Sequence, residues 1–199
     1  MRKILQANQT PARNASQSDA GGETVLRKIA EEIPVEDIKT KKIQKVLKEM
    51  SSVLKSQDDG VAIAAPQIGY SLRIFVVSGK IFQAEFLKNR KERFSGERPV
   101  NDVKEGKEKT KDLIFINPKI SRLSKDKEWL PEGCLSVRWL YGKTFRSKKA
   151  MITAYDENGK KFTRGASGLL AQIFQHETDH LNGVLFIDNA KDIKEELPK

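Results

Sequence analysis

The 199-residue chain predicts an α+β fold, and three observations carry that expectation. Short runs at 72–77, 113–116 and 149–155 have the apolar density or alternation of β-strands. Ile43, Val46, Leu47, Met50, Val53 and Leu54 recur at helical spacing, with lysines and glutamates between them. A further helical stretch near the C-terminus carries Leu169, Leu170, Ile173 and Phe174 on both of its sides, as a helix buried within β structure must.

Composition bounds what such a chain can be. Hydrophobic residues make up 38%, with two Trp and nine Phe, enough to bury a core in a single domain over 1–199. One cysteine excludes an internal disulfide framework and fits a reducing, cytoplasmic setting. No apolar run approaches the length of a membrane span, so no membrane partner is expected. The formal charge of +10 attracts polyanions such as RNA. Acidic residues lie between the lysines, however, and no nucleic-acid motif accompanies them, so direct DNA binding is not expected and the charge reads as a solvated surface.

Taken in order, residues 1–6 have too short an apolar run for a secretory signal. The stretch 7–23 is polar and small, a loop or mobile arm. An organellar transit peptide is disfavoured there, because arginines are few and no amphipathic period appears. Val25, Leu26, Ile29 and Ala30 predict a helical turn or two. The amphipathic N-terminal helix follows, capped at Thr40 and ended before Asp58-Asp59-Gly60, with core packing as its role. Residues 60–69 are dense in small side chains, so the backbone can come close to a ligand. Gln67 adds an amide able to donate to a developing oxyanion.

The run 79–112 is a charged insertion broken by Gly96, Pro99 and Gly106, with a short helix expected between Phe82 and Arg93. Asn117-Pro118 is expected to close the strand before it, and Asn158-Gly159 marks a hairpin returning at 161–163. Ser167 or Gly168 opens the second helix, and Gly183 stands where a C-cap glycine belongs.

That helix carries the chain's only two histidines, in His176-Glu177-Thr178-Asp179-His180. Positions i and i+4 share a helix face, so His176 and His180 can offer imidazole nitrogens to one metal ion while Glu177 reaches an activated water. A catalytic metal with two histidines lacks one protein ligand. Phe186 stands where a longer version of this motif has a third histidine, and Glu195 and Glu196 lie by what reads as a frayed C-terminus. Cys134, in Glu132-Gly133-Cys134-Leu135-Ser136, is the better third donor. Cys134, His176 and His180 plus water make four.

Three separated motifs then resemble the peptide deformylase family. They are the small-residue run ending in Gln67, the intact Glu132–Ser136 stretch, and Gln175 through His180 continuing into Leu181-Asn182-Gly183. Ile4-Leu5-Gln6, Leu26-Arg27 and Asn117-Pro118 also fit, leaving only the stretches 7–23 and 79–112 as local insertions. The resemblance implies mostly antiparallel sheets wrapped around the motif helix, and hydrolysis of formyl-methionyl nascent peptides to release formate.

Under the resemblance Glu177 is the base, with Gln67 and the Leu135 N–H as oxyanion donors. Ile173, Gln172 and Leu169, three, four and seven residues before His176, lie on the helix face near the metal, with Val61 opposite. With Ala62 and Gly133 they are expected to bind substrate, backbone near Ala62 pairing with the peptide. For Leu169 and Ile173 plain core packing is the equal alternative. One divalent ion per chain is implied. Fe(II) is the family's usual ion, and Zn(II), Ni(II) and Co(II) suit the same donors. A monomer that meets the ribosome through its basic charge completes the expectation.

Three residues depart from the family pattern. Ala62 stands for a glycine, Arg138 for a proline, and Gln172 for an apolar pocket residue. Two other classes use the same residues: a peptidase with this histidine motif, which has no need of Cys134, and a non-catalytic metal-stapled protein docking on the ribosome.

Overall fold

The computed structural model describes residues 2–7, 23–83, 86 and 111–197. They form an α+β structure with two antiparallel sheets, in keeping with the expected class. The helices are α1 (Glu23–Leu26), α2 (Lys41–Lys55) and α3 (Gly168–Leu181). The large sheet has the order β1-β2-β3-β6-β7, from Ala62–Ala64, Ile74–Val77, Leu113–Leu123, Lys149–Tyr155 and Lys161–Ser167. The small sheet has the order β4-β5-β8, from Lys127–Gly133, Leu140–Ser147 and Lys191–Glu195.

At β1, β2 and the first half of β3 the large sheet is buried on both faces, which explains why β2 reads as an unbroken apolar run, whereas β6 and β7 keep one face in water. Its odd and even residues part company. Phe75 and Val77 join Phe115, Ile152, Leu170 and Phe174 on the side of α3. Ile74 and Val76 join Ile116 and the apolar stripe of α2 on the other. Phe75 lies opposite Phe115 in the register with ring centroids 4.5 Å apart, and Phe115 meets Phe174 of α3 edge-on at 5.1 Å. Thr40 caps α2 by accepting from the Ile43 N–H. At the far end of α3, Gly183 has φ +74°, and a Cβ there would lie 2.4 Å from the Arg27 carbonyl oxygen. Glycine is required there twice over.

Several expectations need correction. Asn117-Pro118 does not end its strand: β3 runs on to Leu123 through a register shift between Ile116 and Lys119. A bulge absorbs the proline's missing N–H. Asn117 supports it at φ +50°, with its amide exchanging two hydrogen bonds with the backbone of Ile33. The C-terminal segment is not frayed, since β8 pairs with β5. Strands β4 and β5 carry no sequence expectation at all. Ile29, assigned to a helical turn, is 73% exposed beyond the end of α1.

The insertions at 7–23 and 79–112, and the helix expected after Phe82, lie mostly outside the described residues. At their described ends the chain is built in. Ala7 donates its N–H to the Ser136 carbonyl, Ile81 is fully buried, and the Gly79 N–H donates to Asp112 Oδ1.

Candidate active site

The site forms where α3 meets the turn after β4 and the short 3-10 segment Ala65–Ile68. The four-residue spacing on α3 stacks His176 and His180, with ring centroids 4.9 Å apart. The turn brings in Cys134, whose Sγ lies 3.1 Å from His180 Nε2. Sulfur and imidazole donor atoms of Cys134, His176 and His180 all fall within 4.8 Å of one another. One thiol between two imidazoles suits a borderline-soft divalent cation. The donor set therefore fits a metal ion.

Gln67 reaches the same place from the other side of the cleft. It is buried, and its Oε1 accepts from the Ala64 N–H at 2.8 Å. That bond aims Nε2 outward, to donate to Ser136 Oγ at 3.1 Å and towards Cys134 Sγ at 3.5 Å. Glu177 is buried beside the histidines. Its Oε2 has no hydrogen-bond partner among the described residues. Burial, reinforced by the Glu132 charge against the opposing pull of His176, pushes the Glu177 carboxyl up to about 7. Such a carboxyl can take and return a proton near neutrality.

A cavity of about 370 Å³ opens over these groups. Val61, Gly133, Leu135, Leu169, Gln172 and Ile173 line it, together with Cys134, His176 and Glu177. Ala62 does not. Strand alternation turns its side chain into the core with Phe75 and Val77, and only its backbone remains at the edge of the large sheet. Gln172, expected to intrude as an amide, is committed to the wall: its Nε2 donates to the Pro131 carbonyl at 2.9 Å and Glu132 Oε2 at 3.3 Å. At the mouth, Arg138 pairs with both carboxylate oxygens of Asp59 at 3.1 Å and donates to Gln57 Oε1 at 3.0 Å. That bridge joins the two walls of the cleft.

Sequence reasoning missed the supporting network. Glu132 Oε1 lies 2.6 Å from His176 Nδ1 and accepts from Arg146 Nη2 at 2.7 Å. Its Oε2 accepts from Arg146 Nε and from Thr144 Oγ1. Arg146 continues to Asp179 of α3 at 2.5 Å. Burial opposes ionisation of Glu132, but His176 and Arg146 outweigh it and hold the carboxyl well below the usual range. Gln175 ties the helix to β5 by accepting from the Ser147 N–H and donating to the Ser147 carbonyl. Glu132 could have been found, because it opens the motif that carries Cys134. Arg146 and Thr144 gave no signal, lying in a strand whose pattern is largely polar.

Comparison with known proteins points one way. A family model described as polypeptide deformylase matches residues 19–196. The peptide deformylase of Borreliella burgdorferi is 38% identical over 76% of this chain and 79% of its own length. That of Carboxydothermus hydrogenoformans is 36% identical over 86% and 91%. A chloroplastic peptide deformylase 1A of Solanum lycopersicum is 34% identical over 84% of this chain, which spans only 56% of that relative's length. Among solved structures, a Plasmodium falciparum peptide deformylase in complex with an inhibitor superposes with a TM-score of 0.66. It is 29% identical, over 96% of this chain and 90% of that one.

Proposed function

This chain belongs to the polypeptide deformylase family, and on that premise we propose that it is a metal-dependent hydrolase that removes the formyl group from formyl-methionyl nascent peptides, releasing formate. The observation that carries this reading is the convergence of Cys134, His176 and His180 donor atoms within 4.8 Å. The buried Gln67 amide lies at the same sulfur. A peptidase with only the histidine motif has no use for that cysteine.

Cys134, His176 and His180 would hold a divalent ion, which when bound would supply Lewis-acid polarisation and acidify the attacking water. Fe(II) is our choice on the family resemblance, and Zn(II), Ni(II) and Co(II) suit the same donors. Glu177 takes the proton of the attacking water as oxygen adds to the formyl carbon, then passes it to the departing amine. Its unpartnered, buried Oε2 supports that role. Gln67 Nε2 and the Leu135 N–H donate to the negative charge that grows on the formyl oxygen. The Ala64 N–H already holds the carbonyl end of Gln67, so its Nε2 has only to trade the long contact with Cys134 Sγ for the substrate oxygen.

Leu169 and Ile173 of α3, with Val61 opposite, line an apolar wall for the methionine side chain. The peptide backbone pairs along the edge of β1 near Ala62 as an added strand. In this reading β structure wraps the motif helix. The protein acts as a cytoplasmic monomer and meets nascent chains at the ribosome, which its charge of +10 favours.

The test is formate release from a formyl-Met peptide by protein loaded with Fe(II) without oxygen. Formate is expected, and Glu177→Gln lowers its rate about 10²- to 10⁴-fold while metal stays bound. No formate from the loaded wild type overturns the reading.

A further inference from the structure

The outer face of the small sheet carries an exposed aromatic pair. Glu132 turns inward to His176, so Trp129, at odd spacing along the same strand, turns outward. Phe145 lies directly opposite it on β5. Their ring centroids are 5.2 Å apart at 34°, and the residues remain 43% and 52% exposed. Two large rings side by side in water forgo the burial that would normally stabilise them.

Cations attend both rings. Lys191 Nζ lies 4.7 Å from the Trp129 ring centroid, and Lys127 Nζ lies 5.8 Å from that of Phe145. Among the described residues neither lysine has a carboxylate partner. Lys143, opposite Pro131 on the same face, shares its charge with Asp192 at 3.3 Å. The face is also continuous with the cleft. Four residues along β4, about 13 Å at the strand rise, lead from Trp129 to Gly133 at the cavity wall.

We propose that this Trp129–Phe145 face binds single-stranded RNA, its bases stacking on the two rings and its phosphates meeting Lys127 and Lys191. Ring faces accept any base, and adjacent ammonium groups neutralise the backbone between stacked nucleotides. The net charge of +10 draws a polyanion in from a distance. An apolar peptide would use the rings but gain nothing from the lysines, and a second copy of a chain this basic would be repelled. The choice of RNA over DNA rests on the deformylase reading, since nascent peptides are presented on an RNA machine. The binding itself holds whatever chemistry the cleft performs.

The experiment is an anisotropy titration of a labelled oligouridylate with the full chain, beside an abasic strand of equal length and an apolar peptide. Saturable RNA binding is expected, stronger than to the abasic strand and weakening steeply with salt. Trp129→Ala and Phe145→Ala should each weaken it about tenfold. Lys127→Glu with Lys191→Glu should flatten the salt dependence. Hydrolysis of a formyl peptide by the same variants reports on folding, and a separate loss of that activity in wild type leaves the titration intact. Equal binding of the abasic strand, indifference to both ring substitutions, absence of saturable binding, or capture of the apolar peptide instead of RNA overturns the proposal.

Discussion

Glu132 Oε1 stands 2.6 Å from His176 Nδ1, and this contact ties the strand that leads into Cys134 to the helix that carries both histidines. It commits one ring nitrogen of His176 and leaves the other for the metal-binding cluster, as carboxylate partners of ligating histidines commonly do. Arg146 then holds Glu132 and Asp179 together, so the strand, the helix and the partner strand β5 share one ionic network. The spacing of thiol and imidazoles is thereby supported by residues outside the donor set.

Replacing Glu132 by Gln should therefore weaken metal binding about 10- to 100-fold without removing a ligand. Competition with a chelator of known affinity measures this. Unchanged metal affinity would show that His176 is oriented by the packing of α3 alone.

Cys134→Ser should empty the site more thoroughly, because a hydroxyl is a far poorer donor than a thiolate to a borderline-soft ion. Metal analysis after dialysis decides it. Retention of a full equivalent would remove Cys134 from the ligand set and favour the peptidase reading.

Arg146→Ala should cost about 3–5 kcal/mol of stability, because it leaves Glu132 buried and ionised without one of the two groups, Arg146 and His176, that hold it charged. With Arg146 in place the side chain of Glu132 is only 5% exposed. Urea denaturation reads the loss directly. A change below about 1 kcal/mol would mean that Thr144 and His176 suffice.

Gly183→Ala is expected to destabilise by about 1–3 kcal/mol, from the left-handed φ of +74° and from the collision with the Arg27 backbone. The urea midpoint should fall with an unchanged slope. Because α3 ends beside this contact, a loss of metal affinity in the same variant would show that the helix end helps position His180.

Opening the Arg138–Asp59 bridge at the cleft mouth with Arg138→Ala should change KM for formyl-Met peptides while kcat stays within about twofold, since neither residue touches the reacting atoms. Steady-state kinetics across peptides of differing charge would check this. A loss confined to kcat would count against it.

Much of the fold was legible because its signals are local. The stripe from Ile43 to Leu54 and its Thr40 cap, the apolar run of β2, and the Asn158-Gly159 hairpin each rest on neighbours within a few residues. The small sheet was not legible. β4 and β5 break the usual alternation: Glu132, Thr144 and Arg146 face inward because that face serves an ionic network, while the aromatic Trp129 and Phe145 face outward. Asn117-Pro118 misled for a related reason: a proline ends a strand only if the sheet cannot bulge around it, and here Asn117 bonds to Ile33, 84 residues earlier.

The sequence by itself determined which donors the candidate site can offer. Two histidines four apart on a helix must share a face, and a cysteine is the donor best able to complete them, so the candidate donor types follow from local geometry and composition. Only the tertiary structure decided how those donors are held. The β4–β5 register and the packing of α3 bring Glu132, Arg146 and Asp179 into one network, turn Ala62 into the core, and leave Trp129 and Phe145 in water. Each of these depends on which side of a strand faces the helix, and no residue specifies that until the sheet has formed.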